Sequence, residues 1–261
     1  MKSLEKIDRI AVLVSVGHHR VSGVSCYSRN DAAALEIART LAPQHGAELL
    51  VLHAGDAGNL ALTDYLALGA PRIEVLPCGD GDDAAALLAG RLQGVPLVLT
   101  GTRAEGAYDT GMLPYRLADA LGYALVDSAL DLTVACGRVS ITQFLPKGFR
   151  RSVDAALPAV VAVHPQAPVA PRYAHARAVA GAIELQRATA KHDAQSDAWR
   201  IAPAERKPIK LAAAEKRSGH ARMLTATTTE SRGGSVVIEG TSVEKAQAIL
   251  GYLREHRLVD Y

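Results

Sequence analysis

From residue 9 to residue 121 short apolar runs alternate with amphipathic ones, and this alternation narrows the fold more than any other feature of the chain. Residues 9–16 (RIAVLVSV) are a β-branched run with little polar alternation, as expected of a strand buried on both faces. A loop follows, then a helix capped by Asn30 or Asp31, with Leu35, Ala38 and Leu41 on one side and Gly46 beyond its end. The unit repeats: strand 48–54 closed by Gly55, helix 58–68 ended by Gly69, strand 72–76, a helix from Asp82 or Asp83 through Leu92, strand 96–100 and helix 112–121. Such a repeat predicts a parallel sheet covered on both faces and joined by right-handed crossovers. Apolar residues make up 49% of the chain and aromatic ones only 4%, so the core is built of small aliphatics, which suits helices on a sheet better than a β-sandwich. The predicted class is α/β, a three-layer, mostly parallel Rossmann-like sheet with a C-terminal extended arm and helix.

Beyond Gly122 the pattern changes. Residues 124–126, 128–136, 139–145, 150–155 and 159–163 read as short strands that extend the sheet in mixed orientation, with turns at Cys136-Gly137 and Pro146-Lys147-Gly148. Residues 187–222 have little apolar periodicity and read as an extended arm. A connector at 227–234, a short strand at 236–239 and a helix capped by Ser242, running to about His256, close the chain. The predicted division is an α/β domain over 1–185 and an arm and helix over 186–261 that pack on a partner subunit.

Charge is unevenly placed around a net of +2. Residues 1–139 carry 11 Lys and Arg against 16 Asp and Glu, and residues 140–261 carry 18 against 11. The basic half lacks interleaved aromatic residues, so it points to an arm on a protein partner and not to nucleic acid. Cys26, Cys78 and Cys136 are far apart and odd in number, which predicts small buried thiols, with neither a disulfide framework nor a zinc site. His18 and His19 are adjacent on a loop, point apart and have no carboxylate cluster beside them, so no metal is expected. No leader and no membrane-length apolar run stand out, which predicts a cytoplasmic chain without membrane insertion. No nucleophile elbow, Cys–His pair or carboxylate pair emerges, and no catalytic residue is assigned.

Ligands of parallel sheets bind outside the carboxyl ends of the strands. The stretch Val98-Leu99-Thr100-Gly101 ends a strand there, and Asp109-Thr110-Gly111 precedes the next helix. The expectation is a phosphate cradle: backbone N–H groups of Thr110, Gly111 and Met112 at a helix amino terminus, with Asp109 as cap or hydroxyl acceptor. Small residues at the neighbouring strand ends, Ser15 with Val16 and Ala54 with Gly55, would let a base or ribose lie against the backbone, and Asn30 would hydrogen-bond to it.

Taken in order, these segments resemble the β subunit of electron-transfer flavoproteins over roughly residues 9–258. The resemblance is carried by Val12-Leu13-Val14-Ser15-Val16, Asn30, Gly55, Ala67-Leu68-Gly69-Ala70-Pro71-Arg72, Leu97-Val98-Leu99-Thr100-Gly101 and Thr110-Gly111-Met112-Leu113-Pro114. It continues through Leu121-Gly122, Leu157-Pro158-Ala159-Val160-Val161, Pro171-Arg172-Tyr173-Ala174 and Val236-Val237-Ile238-Glu239-Gly240. It implies an adenine-nucleotide α-hydrolase-like fold and a heterodimer in which an α subunit holds most of the FAD site. It also implies AMP, or in bifurcating relatives a second FAD, within this subunit, surrounded by Ser15, Asn30, Ala54 and the loop from Glu105 to Thr110. Electrons would pass from a flavin dehydrogenase to an acceptor oxidoreductase, with no substrate turnover by this subunit itself. Pro171, Arg172, Tyr173 and Ala176 align with the segment that recognises partner dehydrogenases, Ala176 standing where the family usually has an anchoring leucine. The family's acidic loop is shortened here to Glu105-Gly106-Ala107-Tyr108-Asp109, and its Asn-Pro pair is Asn30-Asp31. Two other classes share the alternation: a nucleotide-sensing module of the stress-protein kind, and an adenine-nucleotide hydrolase or adenylylating enzyme.

Overall fold

The computed structural model describes residues 7–19, 21–104, 110–193 and 240–255, together with 198, 200, 219, 220, 223, 258 and 259. It divides into two compact units, Met1–Ile201 and Ala202–Tyr261. The first opens with β1 (Arg9–Leu13), a ribbon of β2 (Val16–His18) and β3 (Ser25–Tyr27), and α1 (Arg29–His45). Then come β4 (Glu48–Gly55), α2 (Ala61–Leu68), β5 (Arg72–Pro77), α3 (Ala84–Leu92), β6 (Leu97–Gly101) and α4 (Leu113–Leu121). It closes with β7 (Ala124–Ala135), β8 (Arg138–Phe144), β9 (Arg150–Ala156), β10 (Ala159–Val163), α5 (His175–Ala180) and β11 (Ala182–Leu185).

Nine strands form one sheet in the order β11-β5-β4-β1-β6-β10-β7-β8-β9. Neighbours are parallel from β11 through β7, and β8 and β9 complete an antiparallel meander at the far edge. The fold is therefore the expected α/β one, with mixed orientation beyond Gly122. Period-2 alternation sends Ile10, Val12, Leu97, Leu99 and Val161 to a core shared with α1, α2 and α5. Ala11, Leu13, Val98 and Val160 face the opposite core, with Leu88 and Leu92 of α3 and Leu117 of α4. Both faces of the central strands are dry, which is why their sequences read as continuous apolar runs.

The left-handed caps at Gly46, Gly69 and Gly122 end α1, α2 and α4 where the glycines stand. Cys136 and Gly137, both at positive φ, make the tight turn between β7 and β8. Several expectations need correction. The run 9–16 is not one strand: β1 stops at Leu13 because Ser15 turns toward α1, and Val16 starts the β2–β3 ribbon. The cap of α1 is Ser28, whose Oγ accepts the Asp31 N–H at 3.4 Å. Residues 124–126 and 128–136 form a single strand, bent at Ser128 (φ 58°). Cys136 is exposed and Cys26 and Cys78 are only half-buried, so these are not core thiols.

The start of the predicted arm is ordered. Just ahead of it β11, within the predicted α/β domain, adds a parallel edge strand on β5; in the arm itself the Lys191 carbonyl accepts the Asp83 N–H at 2.7 Å, and Arg116 bridges Asp83 (2.8 Å) and Asp193 (3.1 Å). Most of residues 194–239, including Trp199 and the predicted strand 236–239, lie outside the described residues. In the second unit α6 (Ser242–Glu255) is capped by Thr241 and not Ser242: the Thr241 N–H donates to Glu244 Oε2 at 2.8 Å, and the Glu244 N–H to Thr241 Oγ1 at 3.4 Å. Among the described residues no helix is long and apolar enough to cross a membrane.

Candidate functional site

Strand order reverses at β1: β4 lies on one side and β6 on the other. The carboxyl ends of β1 and β6 flank the crevice where open α/β sheets hold ligands. One residue organises it. Asp31, in the first turn of α1 and buried, accepts the Ser15 N–H at 2.8 Å and the Ser15 hydroxyl at 2.6 Å through Oδ2, and the Gly101 N–H at 3.0 Å through Oδ1. A carboxylate at a helix amino terminus is favoured by the helix dipole, and here it also satisfies the amides of two different strand ends. Tyr65, fully buried in α2, adds a second tie: it accepts the Ser28 N–H at 2.8 Å and donates to the Ser15 carbonyl at 2.6 Å.

Gly101 is demanded by closeness. A Cβ there would press on Asp31 Oδ1 and lie 2.7 Å from Asn30 Cβ. Asn30 itself is buried in the first turn of α1 beside this contact. Ala54 and Gly55 end β4, with His53 buried beneath them. His53 Nδ1 lies 2.9 Å from the Val14 carbonyl, an acceptor only, so Nδ1 carries the proton and Nε2 is a bare acceptor. That nitrogen faces Gly55, where an added Cβ would sit 2.5 Å away. Burial lowers the His53 pKa, outweighing the opposing pull of the Val14 carbonyl and Asp56.

The predicted cradle is only partly as expected. The Gly101 N–H points inward to Asp31, and the Met112 N–H donates to Thr110 Oγ1 at 3.3 Å. Gly111 takes φ +70°, and α4 starts at Leu113 with Pro114 in its first turn and no side-chain cap. Thr110 and Met112 are exposed. Glu105 and Asp109 lie outside the described residues.

Pro171, Arg172 and Tyr173 are exposed on the segment before α5, and Ala176 is exposed in its first turn. The segment is pinned to α2: the Ala174 N–H donates to the Ala67 carbonyl at 2.9 Å, and the Tyr173 hydroxyl to Asp64 at 3.4 Å. It thus belongs to the α2 face of the sheet.

Residues 21–204 match the model of the electron transfer flavoprotein domain family. The chain is also 34% identical over 257 residues to a protein of Chromohalobacter salexigens named electron transfer flavoprotein subunit beta, covering 96% of this chain and 95% of that one. The chain belongs to the electron-transfer flavoprotein β-subunit family. The likeness to the β-subunit relative runs through both compact units, whereas the family model ends at residue 204.

At the crevice, sequence reasoning missed the roles of Asp31, Tyr65 and His53. Ser28-Arg29-Asn30-Asp31 ahead of an apolar run has the Ser-x-x-Asp spacing of a capping box, the local signal that marks Ser28 as cap in place of the expected Asn30 or Asp31. No local signal placed the Asp31 carboxylate on Ser15 and Gly101. The set at the crevice fits a polar, planar ligand with an anion: glycine backbone at two strand ends, a neutral imidazole acceptor and an uncapped helix amino terminus.

Proposed function

We propose that this chain is the β subunit of a heterodimeric electron-transfer flavoprotein, working in the cytoplasm beside an α subunit that holds most of the FAD. The observation that carries the reading is the crevice between β1 and β6 in a chain of this family, closed at its base by Asp31. An adenine nucleotide, AMP or a second FAD, lies along the strand ends, with Ser15, Asn30, Ala54, Gly55 and Gly101 against its nucleoside part. The 105–112 loop and the amino terminus of α4 hold its phosphate, through Thr110, Gly111 and Met112 and, by position, Glu105 and Asp109. The flavin supplies the redox chemistry, and the chain supplies orientation and a polar surface. Electrons pass from a flavin dehydrogenase to an acceptor oxidoreductase, and the subunit turns over no substrate itself. Pro171, Arg172, Tyr173 and Ala176 contribute to recognition of the donor.

Nucleotide bound to the folded chain adds stability through linkage. The test is co-expression with an α-type partner, followed by denaturing extraction and chromatography. A yellow complex containing FAD plus a further adenine nucleotide is the expected product, and the chain alone is expected to be colourless. A stable, nucleotide-free monomer, or one that hydrolyses ATP, would overturn the proposal.

A further inference from the structure

The polar side chains buried at the crevice are unequally satisfied. Ser28 Oγ accepts the Asp31 N–H, the Asp31 carboxylate accepts donors from Ser15 and Gly101, and the Thr100 hydroxyl donates to the Gly101 carbonyl at 2.8 Å. His53 is different. It is 7% exposed, its Nδ1–H is taken by the Val14 carbonyl at 2.9 Å, and its Nε2 meets no donor among the described residues. Native structures rarely leave a buried acceptor without a donor, so this nitrogen points to a group that arrives from outside the chain.

Backbone geometry leaves that nitrogen open. His53 and Gly55 lie on the same face of β4, at its carboxyl end. A Cβ on Gly55 would lie 2.5 Å from Nε2 and 3.2 Å from Cε1, so the imidazole occupies the space that any other residue at 55 would fill. With its proton on Nδ1, the ring can only accept through Nε2, and it turns away phosphate and carbonyl oxygens alike. Position decides which donor it meets. β1 lies between β4 and β6, and strands stand about 4.8 Å apart, so β4 is roughly 10 Å from the end of β6 that leads to α4. A nucleotide with its phosphate at α4 crosses that distance with its ribose over β1 and its base at β4.

We propose that His53 Nε2 accepts an N–H of the exocyclic amine on the ligand's base, which makes the site selective for amino over oxo purines and dependent on a neutral imidazole. The proposal rests on the nucleotide reading above, and it names the residue that selects the base and regulates its retention. A proton on Nε2 sets a donor against the amine and releases the ligand. Burial keeps the ring neutral against Asp56, the charged group that favours its protonation and whose Oδ1 accepts the Gly58 N–H at 2.9 Å. On α2 the Tyr65 hydroxyl is committed to Ser15 and Ser28, and on α1 the Asp31 carboxylate is committed to Ser15 and Gly101. The folded-state value of His53 lies below the ordinary 6.5, so affinity is full above it and falls as pH drops through it.

The test uses the assembled complex, dialysed at fixed pH against AMP, adenosine or IMP, whose base carries an oxygen in place of the amine. Bound nucleotide or nucleoside is counted by chromatography of denaturing extracts. At about pH 7.5 the complex is expected to take AMP over equimolar IMP by about thirtyfold, because the oxygen of IMP faces a bare acceptor. In H53F, which fills the space without an acceptor, that preference is expected to fall to near parity. Adenosine has no phosphate to titrate, and its affinity for the parent complex is expected to fall about tenfold between about pH 7.5 and about pH 5. H53Q presents an amide oxygen that does not titrate, and its affinity is expected to stay level over the same range. An AMP preference unchanged in H53F, or a fall with pH in H53Q equal to that of the parent, overturns the proposal. H53Q carries the test where the phenylalanine variant does not assemble. A parent complex that binds AMP and adenosine with preferences indifferent to His53 rejects the role of His53 alone, whereas one that binds neither at either pH rejects the nucleotide reading and the role of His53 with it.

Discussion

Asp31 and Gly101 are 70 positions apart in sequence, yet the Asp31 Oδ1 atom accepts the Gly101 N–H at 3.0 Å. With Ser15 on the other carboxylate oxygen, the first turn of α1 becomes the clamp that fixes the spacing of β1 and β6 at the crevice.

Asp31→Asn is expected to lower stability by about 3 kcal/mol, because an amide leaves buried donors facing each other. Ser15→Ala removes one hydroxyl donor and is expected to cost about 1 kcal/mol. Urea unfolding of the purified protein measures both, and equal small effects would mean the clamp is not a stabilising contact.

Gly101→Ala places a methyl 2.7 Å from Asn30 Cβ and 3.1 Å from the Asn30 carbonyl carbon, a backbone atom. The expected loss is about 2 kcal/mol of stability, as for overpacking elsewhere. Gly111→Val forces a β-branched residue to φ +70°, with its Cβ 3.3 Å from the Thr102 carbonyl. It is expected to lower nucleotide content, read by mass spectrometry of denaturing extracts. Full occupancy in the valine variant would remove the Gly111 backbone from the cradle.

His53 gives the fold a pH dependence of known sign. Its usual value is 6.5, and burial lowers it in the folded chain. As pH falls below the unfolded value, the unfolded chain takes up a proton that the folded chain still refuses. The contribution is complete above the unfolded value and is lost as pH falls toward the folded one. The urea midpoint should therefore drop between about pH 7.5 and about pH 5.5, and drop less in His53→Gln. His164, also lowered by burial, is present in both proteins, so their difference reports His53.

Thr241→Ala removes the side chain that caps α6 and is expected to cost about 1 kcal/mol of local stability. Hydrogen exchange at the first amides of α6 is the measurement, and unchanged protection there would rule out the cap.

The central strands were legible in the sequence because they are buried on both faces: Leu97-Val98-Leu99 and Val160-Val161 have no polar side to disguise them. Glycine stops were legible for a related reason, since Gly46, Gly69 and Gly122 take left-handed conformations that other residues resist. The short α5 and β11 were not legible. His175-Ala176-Arg177-Ala178 has no period of its own, and only docking on α2 and β5 orders it.

At the site, the sequence on its own named the small residues at strand ends, Ser15, Ala54, Gly55 and Gly101, since backbone access is a local property of glycine, alanine and serine. Which donors remain open was decided by the tertiary structure alone. Asp31, Tyr65 and His53 reach their partners across 16, 50 and 39 positions, and hydrogen bonds of that span leave no spacing pattern along the chain. Local chemistry set the backbone at each strand end, and packing of α1 and α2 against the sheet set what those ends can touch.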